Sequence, residues 1–149
     1  MALYDTYGRP HNDLRISVTD QCNFRCQYCM PEEGMVWLPK EQILSFEEIA
    51  RVVRITSDLG FDSYHLTGGE PLLRKEIDRL VRMMLEISPD MDLALTTNGV
   101  LLPRLAEGLY DAGLRRINIS LDSLKPHKFL EITRRDMFRQ TLDGIQAAA

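Results

Sequence analysis

Short runs of strand-forming residues, each followed by a polar or glycine-containing turn and then a helical stripe, recur along most of the chain. This alternation limits the fold more than any other feature. Leu14-Arg15-Ile16-Ser17-Val18 alternates apolar and polar residues, and Tyr64 to Thr67, Asp92 to Thr97 and Arg116 to Leu121 are further runs rich in strand formers. Between them lie helix signals. Ser45 and Glu48 are spaced as a capping box, Ile49, Val52, Val53 and Leu59 follow at helical spacing, and Gly60 is a stop. Ile77, Leu80, Val81, Met84 and Leu85 make a second stripe, ended by Ser88-Pro89. A third helix is predicted from Pro103 to Ala112 with Gly113 just past its end, and two more follow Pro126 and Asp136. The strand ends near Thr67, Thr96 and Ser120 are roughly 25–30 residues apart, a normal parallel βα repeat. Right-handed crossovers then place consecutive strands side by side, with the functional rim at their C-terminal ends. The expected fold class is α/β, with parallel βα units forming about half of a barrel. Residues 1–149 read as one domain, and the helical pattern still running at Ala147-Ala148-Ala149 is expected to belong to a larger, truncated barrel.

Composition narrows the function classes. Charged residues make up 27% and hydrophobic ones 44% of the 149 residues, as in ordinary globular domains. A net charge of −4 gives no support to nucleic-acid binding. No apolar run approaches the roughly 20 residues of a membrane span, and the N-terminus MALYDTYGRP shows no secretory pattern. A cytoplasmic location is the expectation.

The three cysteines fall within eight positions, in the order Cys22-x3-Cys26-x2-Cys29. An odd, clustered set is a poor disulfide framework and a good metal site. Thiolates bind both iron–sulfur clusters and zinc. A structural zinc site is closed and four-coordinate, and beyond His65 the chain has only His11 and His127, neither at ligand-like spacing. Spacing alone leaves a cluster, zinc and plain free thiols as readings, with the cluster favoured.

Asp20 to Pro31 resembles the radical S-adenosylmethionine signature, including the aromatic Tyr28 just before the third cysteine. Leu14 to Asp20, Thr67-Gly68-Gly69-Glu70-Pro71-Leu72, Leu95-Thr96-Thr97-Asn98-Gly99 and Arg116 to Ser123 resemble, in order, the GTP 3′,8-cyclases of molybdenum cofactor biosynthesis. The resemblance implies a radical S-adenosylmethionine partial barrel of the TIM type. It implies a [4Fe–4S] cluster on Cys22, Cys26 and Cys29, with S-adenosylmethionine on the open iron, cleaved by one electron to a 5′-deoxyadenosyl radical. Tyr28, Gly68, Gly69 and Ser120 match positions that contact S-adenosylmethionine, while Arg15 and Thr96 match GTP contacts. At the position of His65 the family pattern has Arg, which departs from that pattern at a phosphate contact. The implied partners are GTP and an electron donor such as flavodoxin or ferredoxin, and a homodimer would cover the open sheet edges. The family's second cluster uses C-terminal cysteines, and this chain has none after Cys29. Rival readings are a radical enzyme with another substrate, supported by His65, and a non-catalytic iron–sulfur or zinc-binding module.

Overall fold

In the computed structural model, which describes residues 3–33 and 35–149, the alternation appears as a chain of βα units behind a small hairpin. Strands β1 (Leu3–Tyr4) and β2 (Pro10–His11) pair antiparallel. The sequence reading did not foresee this hairpin. Its turn is held by the Asp5 carboxylate, which accepts the backbone N–H groups of Tyr7 and Arg9, and by Gly8 at φ 77°. Then come β3 (Asp13–Ser17), α1 (Phe46–Asp58), β4 (Ser63–Thr67), α2 (Ile77–Ile87), β5 (Asp92–Thr97), α3 (Leu102–Asp111), β6 (Arg116–Ile119), α4 (Pro126–Thr133) and α5 (Phe138–Ala148). The fourth strand stops two residues short of the expected Leu121. Ser120 stays tied to its neighbour because its N–H donates to the Thr97 carbonyl at 2.8 Å.

The main sheet is parallel, in the order β3-β4-β5-β6, so each strand lies beside the next in sequence. Helix α1 begins where the capping box requires: Ser45 accepts the Glu48 N–H, and the Glu48 carboxylate accepts the Ser45 N–H. Gly60 and Gly113, at φ 94° and 104°, follow the ends of α1 and α3 in the left-handed region that stops a helix.

Strand periodicity sorts the sheet into two chemically distinct faces. Ile16, Val18, Tyr64, Leu66, Leu93 and Leu95 are buried, and they pack with Ile49 and Val53 of α1, Leu80, Val81 and Met84 of α2, and Leu102 and Leu109 of α3. The Tyr64 hydroxyl in this core is satisfied by Thr56 and Ser57 of α1 at 3.0 and 2.9 Å. The opposite face carries Arg15 and Ser17 on β3, His65 and Thr67 on β4, Ala94 and Thr96 on β5, and Arg116 and Asn118 on β6. Register sets Arg15 beside His65 and Thr96 beside Asn118. Apart from the buried Ala94, this face is polar and half-buried to exposed.

Candidate active site

The long segment between β3 and α1 carries the cysteines over the C-terminal ends of the strands. Its path is fixed at both sides. On one side it meets the end of α4, whose last carbonyls have no partner within the helix. The Arg25 N–H donates to Thr133 O at 3.0 Å, the Gln27 N–H to Ile132 O at 2.9 Å, and the Gln27 side chain to Glu131 O at 2.8 Å. Phe24 is buried edge-on against Phe129 of α4, with ring centroids 5.6 Å apart. Inside the loop, the Arg25 guanidinium donates to the carbonyls of Cys22 and Phe24 at 2.7 and 2.6 Å, and the Cys29 and Met30 N–H groups return to Cys26 O. The Phe24 N–H reaches the Cys22 Sγ at 3.3 Å.

On the other side the loop runs along the Gly-Gly turn after β4. The sheet ladder continues there, with Gly69 N–H on Thr19 O at 2.8 Å and Glu70 N–H on Gln21 O at 2.7 Å. A Cβ at Gly69 would lie 2.6 Å from Asp20 O and closer still to Gln21 O, and one at Gly68 would run into Thr19 O. The family resemblance assigns these glycines to contact with S-adenosylmethionine. The structure adds a reason within the chain itself: no side chain fits between the turn and the segment leading into Cys22.

Glu70, which sequence reasoning passed over, is 1% exposed. One carboxylate oxygen accepts the Leu72 N–H at 3.0 Å and the Thr97 hydroxyl at 2.7 Å, and the other accepts the Asn98 N–H at 2.8 Å. Burial pushes this carboxyl above its ordinary pKa, and the three donors oppose that shift. Glu70 thereby fastens the tip of β4 to the tip of β5. Asn98 continues the connection, donating from its side chain to the Asn23 side chain at 2.6 Å. The Tyr28 hydroxyl donates to the Asp122 carboxylate just beyond β6, at 3.1 Å. A signal for these residues is present in the sequence: each is a polar residue one to three positions past a strand or beside a cysteine.

On the polar face, His65 Nε2 and the Thr96 hydroxyl are 2.5 Å apart, and the Asn118 amide lies 3.4 Å from the same nitrogen. Burial, then the positive charges of Arg15 and Arg116, hold the His65 pKa below its ordinary value and favour the neutral ring. The structure thus brings together Arg15, His65 and Thr96 on one face, and Cys22, Cys26, Cys29, Tyr28, Gly68, Gly69 and Ser120 on the rim above it.

A structural zinc ion takes four ligands on one ion, whereas a cubane offers each of three thiolates a different iron. Burial raises the thiol pKa of Cys22 and Cys26, so taking up a metal there must displace protons. Three free thiols on one loop match the three protein-held irons of a cluster whose fourth iron stays open.

A parallel βα sheet with a three-cysteine loop at its C-terminal rim defines an iron–sulfur α/β enzyme of the partial-barrel type. Residues 16–149 match the family model described as the Radical SAM superfamily. The chain belongs to the radical S-adenosylmethionine superfamily, whose cofactors are a [4Fe–4S] cluster and S-adenosylmethionine. Among curated relatives, it is 52% identical over 146 residues to the GTP 3′,8-cyclase of Sulfurovum sp. (strain NBC37-1), covering 98% of this chain and 45% of the relative. It is 50% identical over 147 residues to GTP 3′,8-cyclase 2 of Mycobacterium tuberculosis (strain ATCC 25618 / H37Rv), covering 98% of this chain and 41% of the relative. The chain therefore spans less than half the length of these relatives. Among solved structures it superposes on BtrN, crystallised in complex with AdoMet and 2-DOIA, with a TM-score of 0.58 at 23% identity over 81% of this chain and 50% of that one. It superposes on methylornithine synthase (PylB) with a TM-score of 0.61 at 14% identity over 91% of this chain and 40% of that one. These two likenesses are of fold. No helix among the described residues is long and apolar enough to cross a membrane.

Proposed function

We propose that this chain is the S-adenosylmethionine-cleaving part of a GTP 3′,8-cyclase, residues 1–149 forming the N-terminal part of its radical core domain. The whole enzyme converts GTP to (8S)-3′,8-cyclo-7,8-dihydroguanosine 5′-triphosphate. The observation that carries the reading is the about 50% identity to cyclases over nearly the whole chain. When bound, the cluster and S-adenosylmethionine supply one-electron reductive cleavage and hydrogen abstraction. The protein's own residues do the rest. Cys22, Cys26 and Cys29 hold the cluster on a loop anchored at both sides. The Gly68-Gly69 turn, Tyr28 and Ser120 border the space for S-adenosylmethionine. Arg15 offers a fixed positive charge to a triphosphate, and Thr96 and His65 offer hydrogen bonds from the same face. A reduced flavodoxin or ferredoxin delivers the electron, in the cytoplasm, where thiols stay reduced.

The test uses the complete polypeptide that carries this sequence, reconstituted anaerobically with iron and sulfide and supplied with S-adenosylmethionine, reductant and GTP. Product formation is followed by mass spectrometry. The expected result is GTP-dependent release of 5′-deoxyadenosine together with the cyclised nucleotide. Uncoupled 5′-deoxyadenosine release with no change to GTP would overturn the substrate and leave the superfamily standing. His65 favours a second reading on that outcome: a neutral ring bonded to Thr96 is a weak phosphate partner, and it suits a less charged substrate.

A further inference from the structure

The cysteine loop is held at its later residues by α4, which takes the N–H groups of Arg25 and Gln27. Its Cys22 end depends on a different element. Asn23, directly after Cys22, receives a hydrogen bond from the Asn98 side chain at 2.6 Å, across 75 residues of sequence. The orientation of that amide is settled by its surroundings. The Asn98 Oδ1 accepts the Val100 N–H at 3.1 Å, so the nitrogen must face Asn23. The Asn98 backbone is in turn fixed by Glu70, at 2.8 Å from its N–H, and Glu70 is itself buried and anchored by Thr97 and Leu72. Asn98 is 7% exposed, so water offers its amide little alternative.

We propose that Asn98 is a positioning residue for the first cysteine, acting through Asn23 to fix the Cys22 end of the loop and thereby the electronic setting of the cluster. The inference rests on the cluster assignment above. The route is short. Asn23 lies between Cys22 and Phe24, and the Phe24 N–H points at the Cys22 sulfur, 3.3 Å away. Hydrogen bonds to ligand sulfurs help set a cluster's reduction potential, and outer partners orient the ligands themselves. Releasing Asn23 removes one support of the peptide that carries this donor and leaves the Arg25 guanidinium on the Cys22 and Phe24 carbonyls as the other. The potential should then become more negative, because the donor stabilises the more electron-rich state.

Three variants of the complete polypeptide test this: Asn23→Ala, Asn98→Ser and the double variant. Ser at position 98 can still accept the Val100 N–H, but its side chain is too short to reach Asn23. In cluster-free protein, amide hydrogen exchange at residues 22–25 should quicken about three- to tenfold in each single variant, the worth of one neutral hydrogen bond. The double variant should add nothing, since both changes remove the same contact. After reconstitution, both single variants should shift the midpoint potential in the same negative direction, a readout that general destabilisation does not produce. Parental exchange at residues 22–25 in both single variants, or effects that sum in the double, would overturn the proposal. If Asn98→Ser does not fold, Asn23→Ala decides alone. A parent protein that takes up no iron would refute the cluster assignment, while the exchange measurement still judges the contact itself.

Discussion

Two glycines in helices make opposite demands, and substituting each by alanine separates them. Gly108 lies on the exposed side of α3, where an added Cβ meets nothing within 4 Å. Gly144 is buried in α5, and its Cβ would sit 2.7 Å from the Gly99 carbonyl carbon, with the oxygen nearer still. Mid-helix Gly→Ala contributes about 0.5–1 kcal/mol in either place, by lowering the entropy of the unfolded chain and raising helix propensity. For Gly108→Ala that gain stands alone, worth roughly 1–4 °C in melting temperature. For Gly144→Ala, ordinary carbon contacts need about 3.5–4.0 Å, so α5 must retreat by about 1 Å from the turn after β5. Overpacking of this kind costs about 1–3 kcal/mol. The two variants should therefore differ by about 1–3 kcal/mol, with Gly144→Ala the less stable. Differential scanning calorimetry with urea titration measures this. If Gly144→Ala melts at or above Gly108→Ala, the close approach of α5 to Gly99 is not a constraint, and the account of that packing is wrong.

Glu70→Ala should destabilise by about 2–6 kcal/mol, because it leaves the Leu72 and Asn98 N–H groups buried without an acceptor at about 1–3 kcal/mol each; Glu70→Gln, which keeps one acceptor, should fall between, and chemical denaturation that ranks Gln below Ala would contradict this. His65 should titrate below the ordinary histidine value of about 6.5, since burial and the charges of Arg15 and Arg116 oppose its protonation. The unfolded chain then takes up the proton first, so stability from the neutral ring is present above about pH 6.5 and is lost as pH falls toward the folded-state value. A proton NMR titration with a midpoint above 6.5 would reverse the sign.

Much of the sheet was legible because its signals are local. The Ser45–Glu48 box, the stop at Gly60 and the run Asp92 to Thr97 each depend on neighbours within a few residues, and the structure bears all three out. The Leu3–His11 hairpin was missed because each of its strands is two residues long, too short for alternation to show, and its turn depends on one Asp5 side chain. In the candidate site, Arg15, His65 and Thr96 were legible only through the family resemblance, and strand pairing then sets them on one face. The roles of Glu70 and Asn98 were not, because their partners lie 27 and 75 residues away in sequence. The reason for Gly68 and Gly69 was only half legible for the same cause: the backbone that crowds them belongs to residues 19–21, on the far side of α1 in chain order.

The anchoring of the cysteine loop on α4 has a consequence for how the protein is made. Arg25 and Gln27 cannot find Thr133 and Ile132 until those residues exist, more than a hundred positions later. At about 5–20 residues per second, translation leaves the three thiols without their mature support for about 5–20 s after they are joined to the chain. During that interval Cys22, Cys26 and Cys29 sit on an unsupported segment, open to oxidation and to stray metal ions. On the proposed cluster assignment, insertion of iron and sulfide into the supported loop follows synthesis of α4, and a pause before residue 133 would lengthen the unsupported interval.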